Sequence, residues 1–508
     1  MTTWFVKQGS KNGDGSEAAP FGTLAAAVQV AGPGDVVVVG AGIYREKLRP
    51  PAGTTWVAAP GETVIIDGGW NGKTDVGGNR PAMILITAVD AVINGLRVVN
   101  APGDAIAVGQ GGHNATLLNC ATDVAYSGGI ICNAGETLRG VTIDGCAVLR
   151  SGMGWLARGR KGGVSGAINL IRCEGATVTN TVSAYNWGEG LNVGKGTRNS
   201  TVSGCVSFDN AHFCLGINLA QDCVVKNCIL FLTGYEPRYV GNVWPGGLVI
   251  GDEEGLLGEN FEHSKGIQVR GNLIVNCGVG IGVRNNVSKT GYDTQLVGTY
   301  IERNTVVAGP QTRTAINVGV NERGRPHRDS YVRYNAIDMS GAADDAEPAT
   351  GDATNVTWHD NAWTRLPAAD FRHGDDVIGF QLIAPLAALA NEFPAAGHTL
   401  DIDNYRPRAG SAVAAAGLGA LPVGPVGPPP PEEEPPGVNW DSLIERAASI
   451  GMQVATQAEE LQGVRSNIDA LKERHAVLSL SNEQMAMELG ELLLALEEYK
   501  QAAESGEE

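Results

Sequence analysis

One phrase recurs through most of this chain and limits what it can fold into: a β-branched or large apolar residue, any two residues, then a small polar anchor. It reads Ile93-Asn-Gly-Leu96, Leu117-Leu-Asn-Cys120, Ile143-Asp-Gly-Cys146, Val178-Thr-Asn-Thr181, Val202-Ser-Gly-Cys205 and Val225-Lys-Asn-Cys228. It continues as Val269-Arg-Gly-Asn272, Ile301-Glu-Arg-Asn304, Val332-Arg-Tyr-Asn335 and Trp358-His-Asp-Asn361. The closest anchors lie about 23–26 residues apart, and wider gaps read as that period plus an insertion. Short apolar strands with Gly and Asn turns at this period cannot bury a face singly, so they stack as the coils of a β-solenoid.

Composition fits that reading. The 508 residues include 70 Gly, with 18% charged and only 6% aromatic, a profile of many tight turns rather than a helical enzyme core. A net charge of −18 argues against nucleic acid as a partner, because no broad basic face is left to neutralise phosphate. Met1-Thr-Thr-Trp-Phe-Val-Lys7 lacks a basic stretch followed by an apolar run, so neither a signal peptide nor membrane insertion is expected. Of the nine Cys, Cys120, Cys146, Cys205 and Cys228 sit at the anchor and read as a column of small buried thiols. No CxxC pair is present, and neither a metal nor a cofactor is expected.

Residues 1–48 read as a cap and first strand. Trp4-Phe-Val6 leads to an Asn12–Ser16 turn, and a short amphipathic helix after Pro20 directs Leu24, Ala27, Val28 and Val30 inward before Val36–Val39. Residues 49–421 form the solenoid body. The run 422–437, Pro-Val-Gly-Pro-Val-Gly-Pro-Pro-Pro-Pro-Glu-Glu-Glu-Pro-Pro-Gly, is a semi-rigid polyproline linker. In 438–508 the period becomes heptad. Position a carries Leu461, Ile468, His475, Asn482 and Leu489, and position d carries Val464, Leu471, Leu478 and Leu492. This is the pattern of a parallel coiled coil, whose polar core positions Gln457, His475 and Asn482 would set register and oligomer state.

Pro20-Phe-Gly-Thr-Leu-Ala-Ala-Ala-Val28, Pro33-Gly-Asp-Val-Val-Val-Val39 and Gly42-Ile-Tyr-Arg-Glu46 resemble the opening of the pectate-lyase-like superfamily of right-handed parallel β-helices. Asp403-Asn-Tyr-Arg-Pro-Arg-Ala-Gly-Ser-Ala-Val-Ala-Ala-Ala-Gly417 resembles a segment that often closes such helices. The resemblance implies a mainly β chain: a right-handed parallel β-helix, then the Pro-rich neck and the α-helical coiled coil. That superfamily includes lyases, hydrolases, epimerases and non-catalytic phage spikes, so the fold leaves activity open.

Three interruptions of the plain coil are the candidate sites. Trp155, Arg158, Arg160 and Lys161 combine a stacking surface with a cationic base, or are a solvated basic loop. Trp187, Glu189, Asp209 and His212 fall on adjacent coils, with Asn186 and Asn210 each five residues beyond an anchor. Glu189, Asp209 and His212 are therefore the catalytic candidates, at about 5–10 Å by coil spacing. The same Asn186, Asn210 and Asn276 also read as a turn ladder. The third interruption holds Tyr235, Arg238, Tyr239 and Trp244, with Asp252-Glu-Glu254 and Glu262-His263. It pairs aromatics with charge as sugar sites do, while the consecutive acids offer a weaker calcium alternative.

Domain order and the resemblance together make a phage minor tail protein or tailspike the expectation. It would be made in the host cytoplasm and carried on the virion tail. The coiled coil would oligomerise it, as a trimer or alternatively a dimer, against other phage tail proteins. The β-helix would bind bacterial cell-surface polysaccharide. The alternatives are an active polysaccharide lyase or glycoside hydrolase, and a purely structural tail adaptor.

Overall fold

The computed structural model describes residues 1–77, 80–159, 166–233, 245–252, 262–286, 292–319 and 326–380, with Leu382, Tyr405, Val413, Leu418 and Gly419 beyond them. The Pro-rich neck and the whole heptad segment lie outside the described residues.

The described chain is a parallel β-helix of three sheets. Sheet A runs through thirteen strands from Thr3–Val6 to Val356–His359, and sheet B through thirteen from Gly42–Tyr44 to Val377–Ile378. Sheet C runs from Ile84–Ile86 to Glu347–Thr350. Each coil visits A, B and C in turn and advances one strand, so neighbours in a sheet are equivalent residues of successive coils. Thr142, Thr177 and Thr201 are paired this way in sheet A, and Ala147, Val182 and Val206 in sheet B. The arrangement agrees with the right-handed coil that parallel crossovers favour. Thr3–Val6 and Val36–Val39 already belong to sheet A, so the ladder begins within the segment expected as a cap.

The recurring phrase is the corner between sheets A and B. Its first residue ends up inside, and its third holds the left-handed conformation in every coil from Gly95 to Asp360, with φ between 49° and 76°. Gly fills that place at 95, 145, 204 and 271, and Asn at 119, 180 and 227. Gly has no Cβ to clash there, and Asn tolerates the region better than other residues. The third residue is therefore not arbitrary, although Arg303 and Tyr334 occupy it near the far end.

The anchor that follows points inward. Asn272, Asn304, Asn335 and Asn361 are fully buried, and each amide oxygen accepts from the coil before it. Asn304 Nδ2 donates to Asn335 Oδ1 at 3.0 Å and to the Val269 carbonyl at 2.9 Å. The amide thus satisfies backbone groups that would otherwise be buried without partners. In the earlier coils the column carries Cys120, Cys146, Cys205 and Cys228, free and buried as the anchor pattern predicts, with Leu96 and Thr181 in the same row; the other five Cys are free and buried too. Burial pushes the Cys205 and Cys214 thiols well above the usual thiol range, which keeps them neutral.

Both ends of the coil are closed. A helix, α1 (Leu24–Val28), buries Leu24 and Ala27, and the Glu46 carboxylate accepts the Leu24 and Ala25 amides at 3.1 Å each. Val30, expected to face inward, is 45% exposed, because the helix stops at Val28 and its periodicity no longer applies. At the other end Trp358 lies edge-on to Phe371 at 5.1 Å, beside the fully buried Trp363.

Candidate functional site on the face of sheet C

From Ile93 to Asn361 the A–B corner never lengthens. The insertions all enter the corners on either side of sheet C: 68–83, 150–167 and 232–245 ahead of its strands, and 252–267, 287–299 and 318–329 after them. A face bordered by loops on a rigid scaffold is where binding groups are usually carried.

The best-formed group on that face stands at the edge of the strands Leu191–Val193 and Phe213–Asn218. It is placed by an internal ladder. Asn186 and Asn210 are fully buried, and Asn186 Nδ2 donates to Asn210 Oδ1 at 2.8 Å, with Asn210 Nδ2 on Ser207 Oγ at 3.0 Å. The Trp187 amide donates to Ser151 O at 2.8 Å and the His212 amide to Gly188 O at 3.1 Å, so the chain leaves both ladders at a fixed angle. Glu189 and His212 emerge side by side, with His212 Nδ1 at 3.6 Å from Glu189 Oε1. Their side chains are 14% and 19% exposed, and the imidazole stacks on Phe213 at 3.7 Å between centroids.

The surrounding surface is low and polar. Asn169, Asn192, Gly216, Val249 and Gly282 are in register across five strands. Asn192 Nδ2 donates to Asn169 Oδ1 at 3.0 Å. A Cβ built on Gly216 would lie 3.7 Å from Glu189 Cδ, so the missing side chain leaves the carboxylate at the edge of a notch. The Arg284 guanidinium lies 5.6 Å from the Phe213 ring centre. A partly shielded carboxylate–imidazole pair beside an aromatic and two amides is equipped to hydrogen-bond hydroxyl groups and to move a proton.

Other predicted residues are placed differently. Asp209 sits in the left-handed region (φ 47°) and is buried, with its oxygens accepting Thr233 N at 2.9 Å and Thr233 Oγ1 at 2.6 Å. It caps the next coil. Trp187 is only 9% exposed, which leaves little of its ring for stacking on a ligand. Trp155 is half-buried on a second helix, α2 (Met153–Ala157). Arg158 Nε donates to Asp75 Oδ1 at 3.2 Å, and its guanidinium lies 5.3 Å from the Tyr126 ring centre. The Tyr126 hydroxyl also bonds Asp75; with neighbouring donors and Arg158 it holds that carboxyl down at about 2. This clasp ties α2 to the 70–77 loop. Lys161, Arg160, Tyr235, Arg238, Tyr239 and Trp244 lie outside the described residues.

Beyond sheet C, the fully buried Asp252 accepts Ser264 N at 2.8 Å and faces His263 Nδ1 at 3.0 Å. Among the described residues no three metal-ligating side chains converge, and Glu253 and Glu254 lie outside them. Sequence reading passed over Asn169, Asn192 and Phe213. The first two differ by one coil period, a signal that was available; Phe213 carried none.

No family model matches the chain, and no curated protein sequence matches it. Among solved structures it is similar to a pectate lyase at 14% identity, covering 84% of this chain and 97% of that one with a TM-score of 0.48. It is similar at 16% to the A-module of a mannuronan C-5 epimerase from Azotobacter vinelandii, covering 69% and 99% with a TM-score of 0.44. It is similar at 12% to a surface adhesin of Streptococcus pneumoniae, covering 70% and 87% with a TM-score of 0.46. The assignment of the fold rests on the strand registers given above.

Proposed function

We propose that this chain is a glycan-binding scaffold whose ligand lies along the outer face of sheet C. The observation that carries the reading is the Glu189–His212 pair beside Phe213 and the Asn169–Asn192 amides, on the one face that every insertion borders. Sugars are bound by such mixtures: directional hydrogen bonds to hydroxyls and an aromatic face against the ring. In this reading the ligand is a bacterial cell-surface polysaccharide and the protein is a phage minor tail protein or tailspike on the virion tail. The 438–508 heptads assemble it as a trimer, with a dimer as the alternative, next to other tail proteins.

The same pair favours a second reading, catalysis. An imidazole 3.6 Å from a carboxylate, stacked on Phe213, is a candidate base once a ligand draws the two together. With Asp209 engaged by Thr233, one carboxylate and one imidazole suit proton abstraction by a lyase better than hydrolysis by two carboxylates.

Incubation with a panel of purified capsular and O-antigen polysaccharides separates the readings. Retention without chemical change is the expected result for a binder. New reducing ends, or the ultraviolet absorbance of an unsaturated product, establish the enzyme. Failure to retain or alter any member of the panel overturns both.

A further inference from the structure

The far half of sheet A carries a surface that the glycan reading does not use. Tyr300 and Tyr331 stack at 5.5 Å with their planes 5° apart. Arg333 lies 5.4 Å from the centres of both Tyr331 and Tyr334, and Arg303 lies 5.1 Å from Tyr334. Arg270 and Lys226 occupy the same outward row on the next strands, in register with Glu302. Glu302 is itself paired with Arg333 at 2.9 Å. In a chain with net charge −18, this face is an island of cations and tyrosines.

Two further observations bear on it. Arg303 and Tyr334 hold left-handed corner positions, with φ of 55° and 58°, which Gly or Asn fills in the coils before them. Placing such side chains there costs about 1–2 kcal/mol each, and strain of this kind persists where it serves a contact. The chain also returns to this corner. The Gly419 amide donates to the Tyr334 carbonyl at 2.9 Å, three residues before Pro422.

We propose that the tyrosine and arginine strip of sheet A is the docking surface for the chain's own proline- and glutamate-rich segment, 422–437. Three arguments select this occupant. Tyrosine-lined surfaces accept proline rings, because an extended proline segment has little entropy to lose. Glu432, Glu433 and Glu434 complement Arg303, Arg270 and Lys226 in charge. The reach also fits: ten residues from Pro422 span about 31 Å at polyproline spacing, enough to round the corner and cross the roughly 20 Å between the strands of His359 and Lys226. The consequence is a neck held against the body at its root.

The full-length chain allows a direct test. All nine native Cys are free and buried, so a cysteine introduced by Val426→Cys is the one that a maleimide labels quickly. If the segment is docked about nine-tenths of the time, labelling is about tenfold slower than when it is released. Release is produced by adding Arg303→Glu at the exposed corner, or by 1 M salt without any substitution, and an unchanged thermal melt excludes unfolding. Slow labelling that both treatments accelerate supports the proposal. Equal rates with and without them overturn it. So does protection that fades on dilution, since a second copy would then be the occupant.

Discussion

The A–B corner and the borders of sheet C solve the same problem, turning the chain through each coil, by opposite means. At the A–B corner one left-handed residue makes the turn and one inward anchor satisfies the backbone, coil after coil without insertion. At the borders of sheet C the turns vary in length, and their polar groups point partly outward, as Glu189 and His212 do. A corner that must stack on its neighbours every 4.8 Å or so cannot tolerate extra chain. Only a border that is not stacked at its tip is free to diverge. Stability should therefore concentrate in the first region and ligand recognition in the second.

The largest test of that division is Asn304→Ala. The amide accepts from Asn272 N and Nδ2 at 3.0 Å each and donates to Asn335 and Val269, so truncation strands several buried groups at once. We expect a loss of about 3–5 kcal/mol, a fall in Tm of roughly 10 °C, and unchanged polysaccharide affinity at temperatures where the variant is folded. A melt within 2 °C or so of the parent would show that the ladder does not carry the stability assigned to it. Gly271→Val should follow at about 2 kcal/mol. Its φ is 65°, and a Cβ there would sit 2.6 Å from Asn227 Oδ1, whose side chain must move. A denaturant titration measures the shift, again with binding intact.

These two regions were not equally legible in the sequence. The period, the inward anchor and the buried Cys column could be read because stacking forces equivalent residues onto equal spacing. The left-handed third residue was hidden, since Arg303 and Tyr334 break the Gly/Asn pattern that marks it. Glu189 and His212 were found because they follow Asn186 and Asn210, which share one offset beyond two anchors, at comparable distances. Asp209 fell in the same window, but its own backbone twist (φ 47°) turns it into the coil toward Thr233. Arg158 was read as a ligand contact because its partner Asp75 is 83 residues away, and no local pattern announces such a pairing.

On the sheet C side the expected effects reverse. Glu189→Gln and His212→Ala should each weaken polysaccharide retention about tenfold, or 1.4 kcal/mol, while moving Tm by no more than about 2 °C. Isothermal titration with the retained polysaccharide, paired with a thermal melt, reads both quantities. A large loss of stability with binding intact would place this pair with the structural corner instead.

The smallest effect sharpens the comparison through pH. Between sheets C and A the buried His327 accepts the Leu296 amide on Nδ1 at 3.0 Å, a role that requires the neutral ring. Its Nε2 has no partner among the described residues. Burial holds its pKa below the ordinary 6.5, partly offset by the charge of Asp352. The unfolded chain therefore takes up this proton at a higher pH than the folded one. Its contribution to stability is complete above 6.5 and is lost as pH falls from there toward the folded value. The Asn272, Asn304 and Asn335 amides of the A–B corner bond other amides and backbone groups, which do not titrate, and should not respond in that window. His327→Asn keeps an oxygen able to accept from Leu296 and removes the titration, so its Tm should decline less than the parent's between pH 6.5 and 5. The difference cannot exceed about 1.4 kcal/mol per unit of pH for one proton. Parallel melting curves for parent and variant would remove this role from His327.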